Sequence, residues 1–196
     1  MRSIKFILPL ALLMVVSEMA VAQGDRPKSP RGKAATQISG KWLAVDYGRP
    51  ILRGRTNIFG TGDAYGQGVL SGAPVWRAGA NKSTRLMTDA ALMFGDQTVA
   101  AGEYSLFVDF TGDGAWTLVV SNHTAKDNYR DEGDGLWGAY DYSPDKDAVR
   151  IEMTVEEMPV SLDQFTIAFA DGAENGGKIV FWWENTLAWA AFTVAE

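Results

Sequence analysis

Apolar residues in this chain recur at every second position in segment after segment, and no segment sustains the 3.6-residue period of a helix. That pattern constrains the fold more than any other feature, because only a strand sends alternate side chains to opposite faces. Tyr104, Leu106, Val108 and Phe110 alternate with Ser105 and Asp109. Thr111-Gly112-Asp113-Gly114 then turns the chain, and Trp116, Leu118 and Val120 resume the period, which reads as a hairpin. Val149, Ile151, Met153 and Val155 alternate with Arg150, Glu152, Thr154 and Glu156, predicting one strand with a wet face. Phe165, Ile167 and Phe169 repeat the pattern, Asn175-Gly176-Gly177 turns, and Lys178–Val194 is expected to form one long strand or two shorter ones. Lys41–Tyr47, Arg85–Thr88 and Leu92–Phe94 are further strands, the last followed by a Gly95-Asp96 turn. The expected architecture is all-β, a single antiparallel β-sandwich or flattened, jelly-roll-like barrel.

The ends of the chain bear on where it works. Arg2 and Lys5 precede an apolar run, Phe6 to Val16, and Ala20-Val21-Ala22 offers the small residues of a cleavage site. Residues 1–22 therefore read as a signal peptide, and the protein as exported, periplasmic or secreted. The run is short for a bilayer and no second one follows, so no stable membrane insertion is expected after cleavage. Residues 23–33 are polar, with Pro27 and Pro30, and read as a flexible lead-in to a single domain over 34–196. The chain has 196 residues and no cysteine, so export brings no disulfide and packing alone must hold the fold. A net charge of −6 argues against nucleic acid as a partner.

Two long loop regions interrupt the strands. Residues 48–75 are glycine-rich and carry Arg49, Arg53 and Arg55; residues 122–147 are Asp-rich, with Trp137, Tyr140 and Tyr142. Between strand-like runs lies Val75-Trp76-Arg77-Ala78-Gly79-Ala80-Asn81, combining an aromatic ring, a cation and a carboxamide. Guanidinium groups present a planar fork that grips carboxylate, sulfate or phosphate at two points, and aromatic faces stack on rings. The candidate ligand-binding set is Arg49, Arg55, Trp76, Arg77, Asn81 and Tyr140. The same residue types also hold irregular backbone, since arginines tie carbonyls and Trp packs on Arg by cation–π contact.

Other chemistries find less support. His123 is the only histidine and thiolates are absent, so a multi-imidazole zinc site cannot be built. Asp109 to Gly114 imitates the start of a calcium loop, but Val120 stands where the bidentate carboxylate belongs. A triad would have to use His123, expected in a solvent-exposed loop, and no Gly-x-Ser-x-Gly elbow accompanies it. No spacing selects a catalytic carboxylate pair. No cofactor, metal or catalytic residue is assigned.

The blocks Tyr47-Gly48-Arg49-Pro50, Arg53-Gly54-Arg55, Ile58-Phe59-Gly60, Tyr65-Gly66, Val75 to Asn81 with Thr84, Ala101 to Phe107, Trp137 to Tyr142, Asp147 with Arg150, and Trp183-Glu184-Asn185-Thr186 span nearly the whole exported part. In these blocks the sequence resembles a bacterial domain-of-unknown-function family, DUF2911. The resemblance implies an exported, mainly β protein of the bacterial envelope and supplies no reaction. Two departures stand out: an insertion of roughly Gln67 to Pro74, and Lys82 where an acidic residue is common. The functional expectation is a binding domain for a small anionic or polar ligand. The alternative is a structural or protein-interaction module of the envelope, with hydrolysis ranked third.

Overall fold

The structure, a computed structural model, describes residues 27–112 and 114–195. The signal peptide read over 1–22 lies outside the described residues. The strands are β1 (Arg31–Ile38), β2 (Lys41–Gly48), β3 (Thr84–Thr88), β4 (Leu92–Phe94), β5 (Gln97–Val99), β6 (Gly102–Gly112), β7 (Ala115–Ser121), β8 (Asp147–Glu152), β9 (Thr154–Ala173) and β10 (Gly176–Val194). They form two antiparallel sheets, ordered β1-β2-β3-β6-β7-β8 and β5-β4-β10-β9. The molecule is an open sandwich, and the flattened-barrel alternative is not realised.

The core lies between the sheets. Leu43 and Val45 of β2, Leu106 and Val108 of β6, and Leu118 and Val120 of β7 meet Phe165 and Ile167 of β9 and Phe181 of β10. All nine are buried, so in β6, β7 and β9 the period-two reading selects the inward face correctly. A polar contact ties the sheets across this core. The Tyr47 hydroxyl donates to the Ile167 carbonyl at 3.2 Å and accepts from the Ile167 amide at 2.9 Å.

The edges explain where sequence and structure part. Residues 149–156, read as one strand, are split at Met153 between two sheets. The Met153 amide still bonds the Trp116 carbonyl of β7 at 2.8 Å, and from Thr154 the chain runs in the other sheet. Both sheets bury the same alternate positions toward one core, so the pattern runs through the corner without a break. Beyond the corner β9 continues for 20 residues, so Phe165, Ile167 and Phe169 belong to the same strand as Val155. Pro159 is tolerated inside it because β9 is an edge strand, where one side needs no ladder donors. β1 begins at Arg31, inside the stretch read as lead-in, and its Arg31 and Lys33 leave a charged edge.

One departure positions the site. Phe107 and Val119 are fully buried although they point away from the sandwich core. They form a second cluster with Ala73, Val75, Leu136 and Ala139, packed against Tyr142. Both long loop regions thus fold onto the outer face of β6 and β7, so this sheet is covered on both sides at its centre. The first loop is not wholly irregular: Gly62–Ala64 makes a 3-10 turn, and Gln67–Leu70 makes one short helical turn, α1.

Candidate functional site

The Trp76–Asn81 segment is held in its shape by its own side chains. Trp76 exchanges both backbone bonds with Val108 at 2.8 Å, which pins the segment to β6. Beyond it the backbone leaves ordinary strand geometry, with φ of +45° at Ala78, +152° at Gly79 and +64° at Asn81. Each kink exposes a carbonyl, and a side chain answers it. Trp76 Nε1 donates to the Gly79 carbonyl at 3.1 Å, Thr84 Oγ1 to that of Ala78 at 2.7 Å, and Arg77 Nη1 to that of Asn81 at 3.3 Å. Gly48 packs backbone to backbone against Ala80, where a Cβ would come within 2.0 Å of the Ala80 oxygen. The first candidate block and the Trp-Arg block are therefore in direct contact.

Against this segment lies a cleft of about 560 Å³, within the size range of small-molecule sites. Its walls include Arg55, Trp76, Arg77, Asn81 and Tyr140, five of the six residues selected from sequence. Lys28 and Arg53 add further cations, and no acidic side chain lines it among the described residues. The insertion supplies one wall through Gly68, Val69 and Ser71, and the Tyr140 hydroxyl reaches the Ser71 carbonyl at 3.4 Å.

The five residues do different work. Arg77 is only 8% exposed, its Cζ sits 5.1 Å from the centre of the Tyr140 ring, and Gly138 lies directly against its guanidinium. It makes no ion pair among the described residues, and beyond the long bond to Asn81 its guanidinium N–H groups have no protein partner there. Its remaining N–H groups open onto the cleft, and no carboxylate among the described residues cancels its charge. Arg55 is partly committed, donating to the Leu52 and Ile51 carbonyls at 3.0 and 2.9 Å beside the Trp183 ring. Asn81 is exposed, and its carboxamide has no partner among the described residues.

Trp76 is 1% exposed and does not offer a stacking face. Phe110 and Trp183 lie roughly parallel to it at 6.2 and 6.3 Å, and Phe165 meets it edge-on at 4.9 Å. It is the cleft's floor, and Tyr140, 42% exposed, is the accessible ring. Arg49 does not line the cleft. It reaches the Phe165 carbonyl at 3.4 Å and Thr166 Oγ1 at 3.3 Å, with its stem against Gly32, so it ties β2 to β9.

His123 is not the exposed loop residue expected. It is 7% exposed, lies between the rings of Phe107 and Tyr142, and its Nε2 is 3.0 Å from the Ser143 backbone. Next to it Tyr142 donates to Asp147 at 2.5 Å, and Arg150 bonds Tyr142, Asp147 and Asp109. Burial, then the bond to Asp147, pushes the Tyr142 phenol well above its usual range. Lys82 pairs with Asp127 across the second loop, and that contact holds the exposed Asp127 carboxyl below its ordinary value. Among the described residues no group of three His, Asp or Glu side chains comes together to hold a metal ion.

Sequence reasoning overlooked two contributors. Gly138 has φ +66° and lies so near Arg77 that a Cβ would be 2.5 Å from Nη1. Glu184, at φ +53° in an irregular stretch of β10, accepts the Asn57 amide at 2.5 Å and the Ile58 amide at 2.8 Å, fixing the loop that carries Arg55. The glycine in Trp137-Gly138-Ala139-Tyr140 was a visible signal; for Glu184 only its place in a distinctive block was.

Fold and cleft together define an open antiparallel β-sandwich whose two long loop regions build a cationic cleft against the six-stranded sheet. The chain belongs to the DUF2911 family, described as a protein of unknown function, which matches it over residues 29–192. Neither the curated proteins nor the solved structures contain a match to this chain.

Proposed function

We propose that this protein is an exported binding domain for a small anionic ligand, held in the cleft between the Trp76–Asn81 segment and the two long loops. The observation that carries the reading is Arg77, a nearly buried guanidinium with no carboxylate partner among the described residues. In a protein of net charge −6, a cleft wall of Lys28, Arg55 and Arg77 with no acidic side chain among the described residues favours an anion supplied from outside. Arg77 and Asn81 bind the acid group, Arg55 adds its remaining donors, and Tyr140 covers the bound molecule. The N-terminal signal sequence motivates the exported location.

Thermal unfolding in acetate against chloride at equal ionic strength tests this. A ligand at about 100 times its dissociation constant stabilises by about 2.7 kcal/mol, which is about 5–10 °C for a domain of this size. Arg77→Gln should keep the fold and lose the acetate-specific shift. An equal shift in both proteins would end the reading, because general salting effects do not depend on Arg77.

A further inference from the structure

A second hollow of about 570 Å³ adjoins the cleft, and Tyr140 lines both. Its other walls include Lys126, Tyr129, Trp137 and Asp141. Tyr129 is 70% exposed, a high value for a large ring, and meets Trp137 edge-on at 6.2 Å. The base of this loop is firmly built. The Lys126 amide bonds the Leu136 carbonyl at 3.0 Å and the Leu136 amide bonds the Thr124 carbonyl at 2.9 Å. Gly135 passes so close to Thr124 that a Cβ would be 2.7 Å from its oxygen. The base that carries Trp137 and Tyr140 is therefore set before anything binds, which lowers the ordering cost of binding.

The polar groups indicate what the shelf holds. Lys126 and Asp141 form no ion pair among the described residues, so a strong donor and a strong acceptor stand beside exposed rings. A carboxylate here repels a second acid group and accepts from hydroxyls. An aromatic acid offers the rings a face but gives Asp141 nothing to accept. A ring bearing several hydroxyls matches both the shelf and the charges.

We infer that the ligand is an acidic saccharide, its acid group on Arg77 and a hydroxylated sugar ring on the shelf of Tyr129, Trp137 and Tyr140. This rests on the anion-binding reading above and names the class of molecule bound. Calorimetric titration with acetate, benzoate and D-glucuronate at fixed ionic strength tests it. Glucuronate should bind at least tenfold more tightly than acetate, and benzoate should not match it. Tyr129→Ala should weaken glucuronate about tenfold and leave acetate unchanged. Asp141→Gly, which suits the φ of +65° there, should act in the same direction. The inference fails if glucuronate gains nothing over acetate, if benzoate equals it, or if Tyr129→Ala weakens both acids alike. Acetate that does not bind through Arg77 would remove the anion-binding reading as well.

Discussion

Replacing Gly138 by alanine tests whether the placement of one guanidinium governs the cleft. Two costs arise, and a second substitution separates them. Gly138 has φ +66°, and an L side chain in the left-handed region costs about 1–2 kcal/mol. Alanine recovers about 0.4–1 kcal/mol by restricting the unfolded chain, so backbone strain alone leaves a net loss near 1 kcal/mol. The new methyl group would also lie 2.5 Å from Arg77 Nη1 and 2.7 Å from Cζ. Carbon contacts settle near 3.5–4.0 Å, so the guanidinium must retreat by about 1 Å or the loop must lift. Overpacking of this kind costs about 1–3 kcal/mol more. Gly40 is the control, with φ +74° and nothing within 4 Å of an added Cβ. At about 2–4 °C per kcal/mol, Gly40→Ala should melt about 2–4 °C lower and Gly138→Ala about 5–15 °C lower. Calorimetry should further show acetate affinity reduced tenfold or more in Gly138→Ala and unchanged in Gly40→Ala. Equal melting temperatures and equal acetate affinities in the two variants would refute the argument, since the contact with Arg77 would then carry no weight.

Glu184→Gln leaves one carbonyl acceptor for two amides and turns an NH₂ group toward the other. Because the Asn57 bond is exposed, the loss sits near the lower end for charged hydrogen bonds, about 1.5 kcal/mol. Hydrogen exchange at Asn57 and Ile58 should accelerate about tenfold while β6 and β7 stay protected, and unchanged exchange would show that Glu184 does not hold the loop. The raised Tyr142 phenol predicts an alkaline signature. Below its ordinary value of 10.0 both folded and unfolded chains keep the proton and the stabilisation is complete. Above that value the unfolded chain ionises first, so stability declines as pH rises toward the folded value. Denaturant unfolding at pH 9 and pH 11 should show a smaller decline in Tyr142→Phe, and identical declines would mean that burial and the Asp147 bond do not raise the phenol in the folded chain.

Five of the six candidate residues selected from sequence line one cleft because their types report on loops. Arginine beside glycine and aromatic rings marks backbone that leaves the sheet and needs tying down. The sixth shows the limit of that signal. Arg49 and Arg77 look alike in sequence, yet one bonds a neighbouring strand and the other has no carboxylate partner among the described residues. Trp76 likewise gave no sign of which faces its neighbours would cover. His123 was misjudged because its cover comes from Phe107, on the face of β6 that alternation assigns to solvent.

By itself the sequence determined the alternating strands β6, β7 and β9 and their inward faces, since a period of two is a local property that any packing partner must respect, while β1 and β5 were not read from it. It also determined the turn at Gly95-Asp96 and the hairpin of β6 and β7, where neighbouring residues decide the geometry. Only the tertiary structure decided that the alternating run through Met153 belongs to two sheets, because both bury the same positions in one core. It alone decided which arginine ties strands together and which faces the cleft with no carboxylate partner among the described residues. A guanidinium's partners come from residues distant along the chain, and their spacing in the sequence carries no record of where folding will bring them.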